Sequence, residues 1–235
     1  MTRHEIKEQL SHDQFRDGVS AAVTYAYAHR RRVIRYIVLG VIVLALVGLG
    51  FWYAAYQRGV RQQELRAALD IWEAPVGKNA ASDILKSYPT QQAKEEASLR
   101  AFADVAAKHS GSREGQIARY YVGTIRAQRK DNKGAESDLK AVADAGGDIG
   151  SLGKMALAQV YVAEGRTSDA ETLLGQLSKA PTDFVSKAQS QILLAEIQAK
   201  KNPQEARKTL NALKASAKSP EISRAVDQVA AQLPK

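Results

Sequence analysis

The longest apolar segment of the chain runs from Tyr36 to Gln57, 22 consecutive positions without a charged residue. At a rise of about 1.5 Å per residue, a helix of this length crosses a hydrocarbon core about 30 Å thick. A cleavable signal peptide has a shorter apolar stretch close to its start. Here a polar lead of about thirty residues precedes the segment. We therefore predict a retained single transmembrane helix over residues 33–57.

Aromatic residues mark both ends of this helix, as is typical of the two membrane interfaces. They are Tyr36 at one end and Phe51, Trp52, Tyr53 and Tyr56 at the other. Gly50 and Ala54 form one pair of small residues at the spacing that lets a second transmembrane helix approach. Contact with lipid is the default expectation for this face.

Basic residues flank the helix unequally. Those within about 18 residues are Arg16, Arg30, Arg31, Arg32 and Arg35 before it, and Arg58, Arg61 and Arg66 after it. Because Lys and Arg favour the cytoplasmic side, we predict an N-terminus in the cytoplasm and the rest of the chain on the opposite face. Residues 1–32 then form a cytoplasmic tail, whose apolar residues from Phe15 to Ala26 recur at helical spacing and predict an amphipathic helix.

After the membrane segment, the apolar pattern repeats about every 35 residues. Gly111, Gly146 and Pro181 are each 35 residues apart and mark predicted helix ends. Between these marks, two amphipathic helices are separated by a short polar turn. The second helices share a frame of one small and two large residues: Ala135, Leu139, Val142; Ala170, Leu174, Leu177; and Ala206, Leu210, Leu213.

Two second helices carry start signals, in which a side-chain cap is followed three residues later by a glutamate. These signals are Ser168 with Glu171, and Asn202 with Pro203 and Glu205. The first helices have small residues at matching positions, namely Gly123, Ala158 and Ala195. The sequence thus predicts an array of helical hairpins.

The array resembles the tetratricopeptide repeat, a helix-turn-helix unit of 34 residues with small residues at close helix crossings. The early tryptophan of that family is missing, and its tyrosine is kept only at Tyr161. We predict an all-α fold: the transmembrane helix, a helical spacer and hinge at 58–90, a tetratricopeptide-like solenoid at 91–220, and a capping helix at 221–235. The break after Glu73, from Ala74 to Asn79, supplies the hinge.

Composition narrows the function. The chain has no cysteine, which excludes thiolate catalysis and cysteine-ligated metals. Residues 57–235 carry 27 Lys/Arg and 21 Asp/Glu, a mild excess spread along helices without clustered aromatics, so nucleic-acid binding is not expected. His109 is interpreted as a surface residue, and the run of glycines from Gly146 to Gly153 fits no phosphate-binding motif. We predict no enzymatic activity, no cofactor, no metal and no small-molecule substrate.

Repeat arrays bind partners on the concave surface that their first helices form. Alignment on the small positions nominates eight residues as the lining of such a groove. They are Tyr120, Thr124, Gln128, Met155, Gln159, Gln189, Glu196 and Lys200.

The order of parts, from basic tail through signal-anchor and spacer to repeat domain, resembles the YfgM-type family of ancillary subunits of the bacterial Sec translocon. This resemblance implies a single-pass protein of the inner membrane with a periplasmic repeat domain. It also implies protein partners, namely translocon subunits, a periplasmic chaperone and emerging clients. The alternative is a structural subunit or assembly factor of another membrane complex, respiratory or photosynthetic.

Overall fold

The computed structural model describes residues 30–77, 87–217 and 219–233, without the side chain of Val33. These ranges contain nine α-helices and no β-strand, and one isolated parallel bridge joins Val76 to Tyr88. The helices are α1 (Arg30–Glu73), α2 (Gln91–Lys108), α3 (Arg113–Gln128), α4 (Asn132–Asp144), α5 (Gly147–Ala163), α6 (Thr167–Lys179), α7 (Lys187–Ala199), α8 (Pro203–Ser216) and α9 (Pro220–Gln232). The predicted all-α class is confirmed.

Most of the predicted cytoplasmic tail, with Arg16 and the amphipathic stretch from Phe15 to Ala26, lies outside the described residues. Contacts divide the chain into two units, Met1–Gly59 and Val60–Lys235. In the first unit, the most apolar stretch of α1 has no residue buried by protein. Leu44, for example, is 72 % exposed. The helix is long and apolar enough to cross a membrane, and such a surface needs lipid or another apolar surface to cover it.

In the second unit, each helix packs against the next along the chain. Short links join α3 to α4, α5 to α6, and α7 to α8, so these helices form three successive hairpins. The helix α9 packs against both α7 and α8, where it buries Val226 and Val229. Each helix has an apolar stripe at helical spacing. The helices pack against their neighbours because this contact removes the stripes from water.

The second helices bury the frame that the sequence predicted, except at Leu213, which is partly buried. Ala135, Ala170 and Ala206 are fully buried, as are the leucines four residues after each of them. The helix α2 has the same frame: Ser98 takes the small position, and Phe102 follows four residues later. The frame of small and large residues therefore begins in α2, the helix that precedes the three hairpins.

The end of α1 supplies the helix that packs against α2. Leu65 and Ala68 are buried in one cluster with Phe102 of α2 and Val122 of α3. Residues 60–73 lie inside the range predicted as spacer, and in the structure they share a hydrophobic core with α2 and α3. The helix ends at Glu73, at the start of the predicted hinge, whose residues 78–79 lie outside the described part of the chain.

Glycines permit close contacts between neighbouring helices. A Cβ added to Gly153 in α5 would lie 2.7 Å from the backbone nitrogen of Ala143, at the end of α4. Gly146 and Gly147 have φ angles of 73° and 62°, in the left-handed region that glycine adopts most easily. The glycines from 146 to 153 thus turn the chain and then let α5 pack closely on α4.

Two helix starts were predicted from capping signals, with different outcomes. The predicted start at Ser168 is wrong, because α6 begins at Thr167 after Arg166 and has no side-chain cap. The Asn202 signal is confirmed: the Asn202 side chain accepts a hydrogen bond of 3.2 Å from the backbone N–H of Glu205. Arg166 occupies the first site, and its guanidinium contacts Asp169 and Glu164 in its own hairpin and Glu136 in the preceding one.

Ion pairs connect successive hairpins at equivalent positions. Arg166 Nη1 lies 3.0 Å from the Glu136 carboxylate, and Lys201 Nζ lies 3.2 Å from that of Glu171. The partners are 30 residues apart in both pairs. The Arg166 guanidinium also lies 4.0 Å from the centre of the Tyr161 ring. The two ion pairs thus tie the starts of α6 and α8 to the second helix of the preceding hairpin.

Candidate binding groove

The first helices α3, α5 and α7 line two cavities, which we call the α3–α5 cavity and the α5–α7 cavity. Together they form the inner groove. Gln159 of α5 lines both cavities, so they adjoin at this residue. Its side chain is exposed. The two cavities of the inner groove therefore lie next to each other in the second unit, with Gln159 between them.

The α3–α5 cavity has a volume of about 580 Å³ and is lined by aromatic and uncharged polar side chains. The lining residues are Trp72, Tyr120, Tyr121, Thr124, Ala127, Gln128, Asn132, Leu139, Ala156, Gln159, Val160 and Ala163. Trp72 comes from the end of α1, and Asn132 and Leu139 come from α4. This combination offers flat apolar surfaces beside amide and hydroxyl groups.

Ring contacts hold the aromatic side chains of this cavity in place. The Tyr121 ring stacks on buried Phe102 with a centroid distance of 4.5 Å, and it meets the Trp72 and Tyr120 rings edge to face at 6.0 and 5.8 Å. Lys94 donates a hydrogen bond of 3.2 Å to the carbonyl of Ala74, and its ammonium lies 6.0 Å from the centre of the Trp72 ring. The end of α1 is thereby fixed against α2 and α3.

Burial raises the pKa of Tyr120, and the neighbouring Tyr121 adds to the effect. The Tyr120 phenol therefore stays neutral at any physiological pH. A neutral phenol can donate one hydrogen bond and accept others. Beside the Gln128 and Gln159 amides, it provides groups that can bond the backbone of an extended peptide.

The α5–α7 cavity is smaller, with a volume of about 390 Å³, and is more aliphatic. Its lining residues are Leu152, Met155, Gln159, Phe184, Val185, Gln189, Ile192, Leu193, Glu196 and Ala225. Among these described residues, Glu196 is the charged one. Partial burial raises the pKa of its carboxyl group. Met155 adds a flexible thioether that can adapt to different apolar side chains.

The link between α6 and α7 places Phe184 at the α5–α7 cavity. Val185 is buried, and its backbone carbonyl accepts a hydrogen bond of 3.0 Å from the N–H of Thr182. The Thr182 hydroxyl lies 2.7 Å from that of Ser151 in α5. Phe184 lies between Thr182 and Val185 in the chain, and its side chain remains 42 % exposed.

A capping box starts the helix that forms the far wall of this cavity. Ser186 accepts a hydrogen bond from the Gln189 backbone, and the Gln189 side chain accepts one from the Ser186 backbone N–H. The Gln189 side chain therefore has a structural role in addition to lining the cavity. Sequence analysis predicted the groove position but missed the cap, although serine and glutamine stand at the spacing of a capping box.

Seven of the eight groove residues predicted from sequence lie together. Tyr120, Thr124, Gln128 and Gln159 line the α3–α5 cavity, and Met155, Gln159, Gln189 and Glu196 line the α5–α7 cavity. Lys200 lines neither cavity; it follows the last residue of α7 and is exposed. Sequence analysis missed Trp72, Tyr121 and Phe184. An exposed aromatic in a link, such as Phe184, is the type of signal that could have found one of them.

His109 is partly buried, and its Nε2 lies 2.9 Å from the Glu64 carboxylate, with Lys108 beside the same group. The surface role expected from sequence therefore becomes a contact between α1 and the end of α2. Within the described ranges, no group of three His, Cys, Asp or Glu side chains could hold a metal ion.

The predicted anchor residues lie on α1, in the first unit. Arg30, Arg31, Arg32, Arg35, Tyr36, Gly50, Trp52, Tyr53, Ala54 and Tyr56 are all exposed. The Trp52 and Tyr56 rings stack with a centroid distance of 6.0 Å, and Gln57 donates a hydrogen bond of 2.9 Å to the Tyr53 hydroxyl. Aromatic and polar side chains thus lie close together on one turn of the helix, at the end of the apolar stretch.

Comparisons with known proteins add no family. No family model, curated protein or solved structure matches the chain.

Proposed function

We propose that this protein is a non-enzymatic scaffold anchored in a bacterial inner membrane, and that it binds protein segments in the inner groove on the periplasmic side. Its placement as an accessory of the Sec translocon follows from the resemblance to the YfgM-type family. Its partners are then translocon subunits, a periplasmic chaperone and emerging clients.

The observation that carries the proposal is that two cavities lie next to each other along the first helices. They meet at Gln159, and both are lined by the first helices of successive hairpins. A single extended segment can therefore contact both. Repeat arrays use this surface for extended ligands, and side-chain amides like those of Gln128 and Gln159 suit a peptide backbone.

The second part of the proposed mechanism is membrane anchoring by the apolar stretch of α1. A domain restricted to a membrane surface meets membrane-associated partners at a high effective concentration. Weak contacts in the groove then suffice for capture. The excess of arginine before the apolar stretch, from Arg30 to Arg35, supports a cytoplasmic N-terminus and a periplasmic groove.

Purification of the full-length protein in a mild detergent, followed by quantitative mass spectrometry, tests the proposal. Three proteins are compared: the wild type, Gln159→Arg and Gln176→Arg. Both glutamines are exposed, and Gln176 lies on α6 outside the inner groove. The two variants carry the same change, so they differ only in its position.

We expect translocon subunits and chaperones with the wild type and Gln176→Arg, and a large loss of them with Gln159→Arg. Equal recovery with all three proteins would refute groove binding. Recovery of respiratory or photosynthetic subunits in fixed stoichiometry would favour the alternative of a structural or assembly subunit.

A further inference from the structure

We propose that the inner groove selects basic protein segments: an apolar side chain enters the α5–α7 cavity, and a neighbouring lysine or arginine of the same segment pairs with Glu196. This inference rests on the proposed function and adds the chemistry of the bound segment.

The apolar half of the site is formed by side chains from three elements. Leu152 and Met155 come from α5, Ile192 and Leu193 come from α7, and Phe184 comes from the link before α7. All of these except Phe184 are partly buried, and Phe184 is the most exposed of them. An aliphatic or aromatic side chain inserted here would remove apolar surface from water on both partners.

The charge at this site comes from Glu196. It forms no ion pair with another described residue, and Lys200, which caps the C-terminal end of α7, is not bonded to it. The cause of its raised pKa is burial alone. The carboxyl of Asp138, in contrast, is partly buried, and while burial raises its pKa, Arg126 and Arg119 act to lower it. Glu196 is thus an exposed carboxylate at the edge of a mostly apolar cavity, and it has no ion-pair partner among the residues that the structure describes.

A cation from the bound segment would complete this site. A basic side chain near Glu196 favours the ionised carboxylate, whereas an acidic one would repel it. The α3–α5 cavity has no charged residue among the described residues that line it. Glu196 therefore decides the charge preference of the whole groove.

Selection from a displayed library of random heptapeptides tests this inference, with the full-length protein in lipid nanodiscs as the target. Wild-type protein should enrich peptides that have a large apolar residue next to Lys or Arg. Glu196→Gln should keep the apolar enrichment and lose the basic one, and Glu196→Lys should enrich Asp and Glu instead. Glu221→Gln is the control, because Glu221 is an exposed residue of α9 outside the cavity.

One enriched peptide is then synthesised with its basic residue and with glutamine in that place. Binding to the wild type should weaken by about fivefold on this change, the upper range for a partly exposed ion pair, while binding to Glu196→Gln should not change.

The outcomes separate the two proposals. The role of Glu196 would be overturned, and groove binding left intact, by either of two results that keep the apolar enrichment. In one, the wild type and Glu196→Gln prefer basic residues equally; in the other, the wild type shows no preference for basic residues. If the wild type enriches no peptides beyond those found with Gln159→Arg, both groove binding and the role of Glu196 are overturned.

Discussion

Leu139 packs so closely on Gly123 that a Cβ added to the glycine would lie 2.6 Å from Cγ of Leu139. Leu139 is fully buried, so its side chain has no free space to move into. The glycine therefore sets the distance between α3 and α4. Ala158 and Ala195 occupy the matching positions in the next two hairpins, and both are fully buried.

Gly123→Ala should destabilise the second unit by up to about 2 kcal/mol, because overpacking costs about 1–3 kcal/mol and the helix propensity of alanine returns about 1 kcal/mol. Gly175→Ala is the matched control. Gly175 lies within α6, and nothing lies within 4 Å of its added Cβ. Gly175→Ala should stabilise the second unit by up to about 1 kcal/mol. Urea unfolding of the full-length protein in detergent, followed by circular dichroism, checks the opposite signs; equal effects would contradict the close contact.

Ser98 takes the small position of the second helix where later hairpins have alanine. It is fully buried, and its hydroxyl has no hydrogen-bond partner. An unsatisfied buried hydroxyl costs about 1–3 kcal/mol, so Ser98→Ala should stabilise the protein by about 1 kcal/mol.

Ser190 provides the comparison for Ser98. It is buried to the same extent, but its hydroxyl donates a hydrogen bond of 3.2 Å to the Ser186 carbonyl. In the same urea experiment, the change in the free energy of unfolding should therefore be less favourable for Ser190→Ala than for Ser98→Ala, by about 1 kcal/mol. A larger gain from Ser190→Ala would show that Ser98 has a partner in solution.

The pKa of Glu196 gives the protein a pH-dependent stability. Its ordinary value is 4.5, and burial raises the pKa in the folded state. The folded state then keeps this proton at pH values where the unfolded chain has lost it. The contribution of Glu196 to stability falls as the pH rises from 4.5 through the raised value.

The measurement is the difference in thermal midpoint between Glu196→Gln and the wild type as a function of pH. It should be near zero at about pH 3.5, where both side chains are neutral, and should favour the variant at about pH 7. A difference that is constant over this range would show that the Glu196 carboxyl is fully hydrated.

The predicted orientation depends on five arginines before the apolar stretch against three after it. Protease added to spheroplasts should digest the residues after 57, while the same protease should spare them in intact cells. A tag on the N-terminus should survive in both. Full protection of the second unit in intact spheroplasts would contradict the periplasmic placement.

Much of the fold could be predicted because the helix period and the frame of small and large residues are local patterns. The repeat at Ala135, Ala170 and Ala206 is one example, and all three are buried as the pattern requires. The same frame in α2 was not recognised, because serine and phenylalanine at positions 98 and 102 replace the alanine and leucine of the later helices. Trp72, at the end of α1, fell in the predicted spacer.

The groove was predictable to the extent that it follows the repeat frame. Gln159 and Met155 stand at fixed offsets from Ala158, so alignment found them. Phe184 lies in a link, where no repeat frame applies, and Lys200 falls beyond the end of α7. Positions determined by a link or a helix end depend on tertiary contacts that the pattern does not contain.

Site-specific photo-crosslinking in living cells tests the central claim most directly. A photoreactive amino acid replaces Gln159, which lines both cavities, or Gln176, which lies outside them. We predict discrete protein adducts from position 159 that are absent from position 176. The same adducts from both positions, or none from position 159, would contradict a groove that holds protein segments at the membrane.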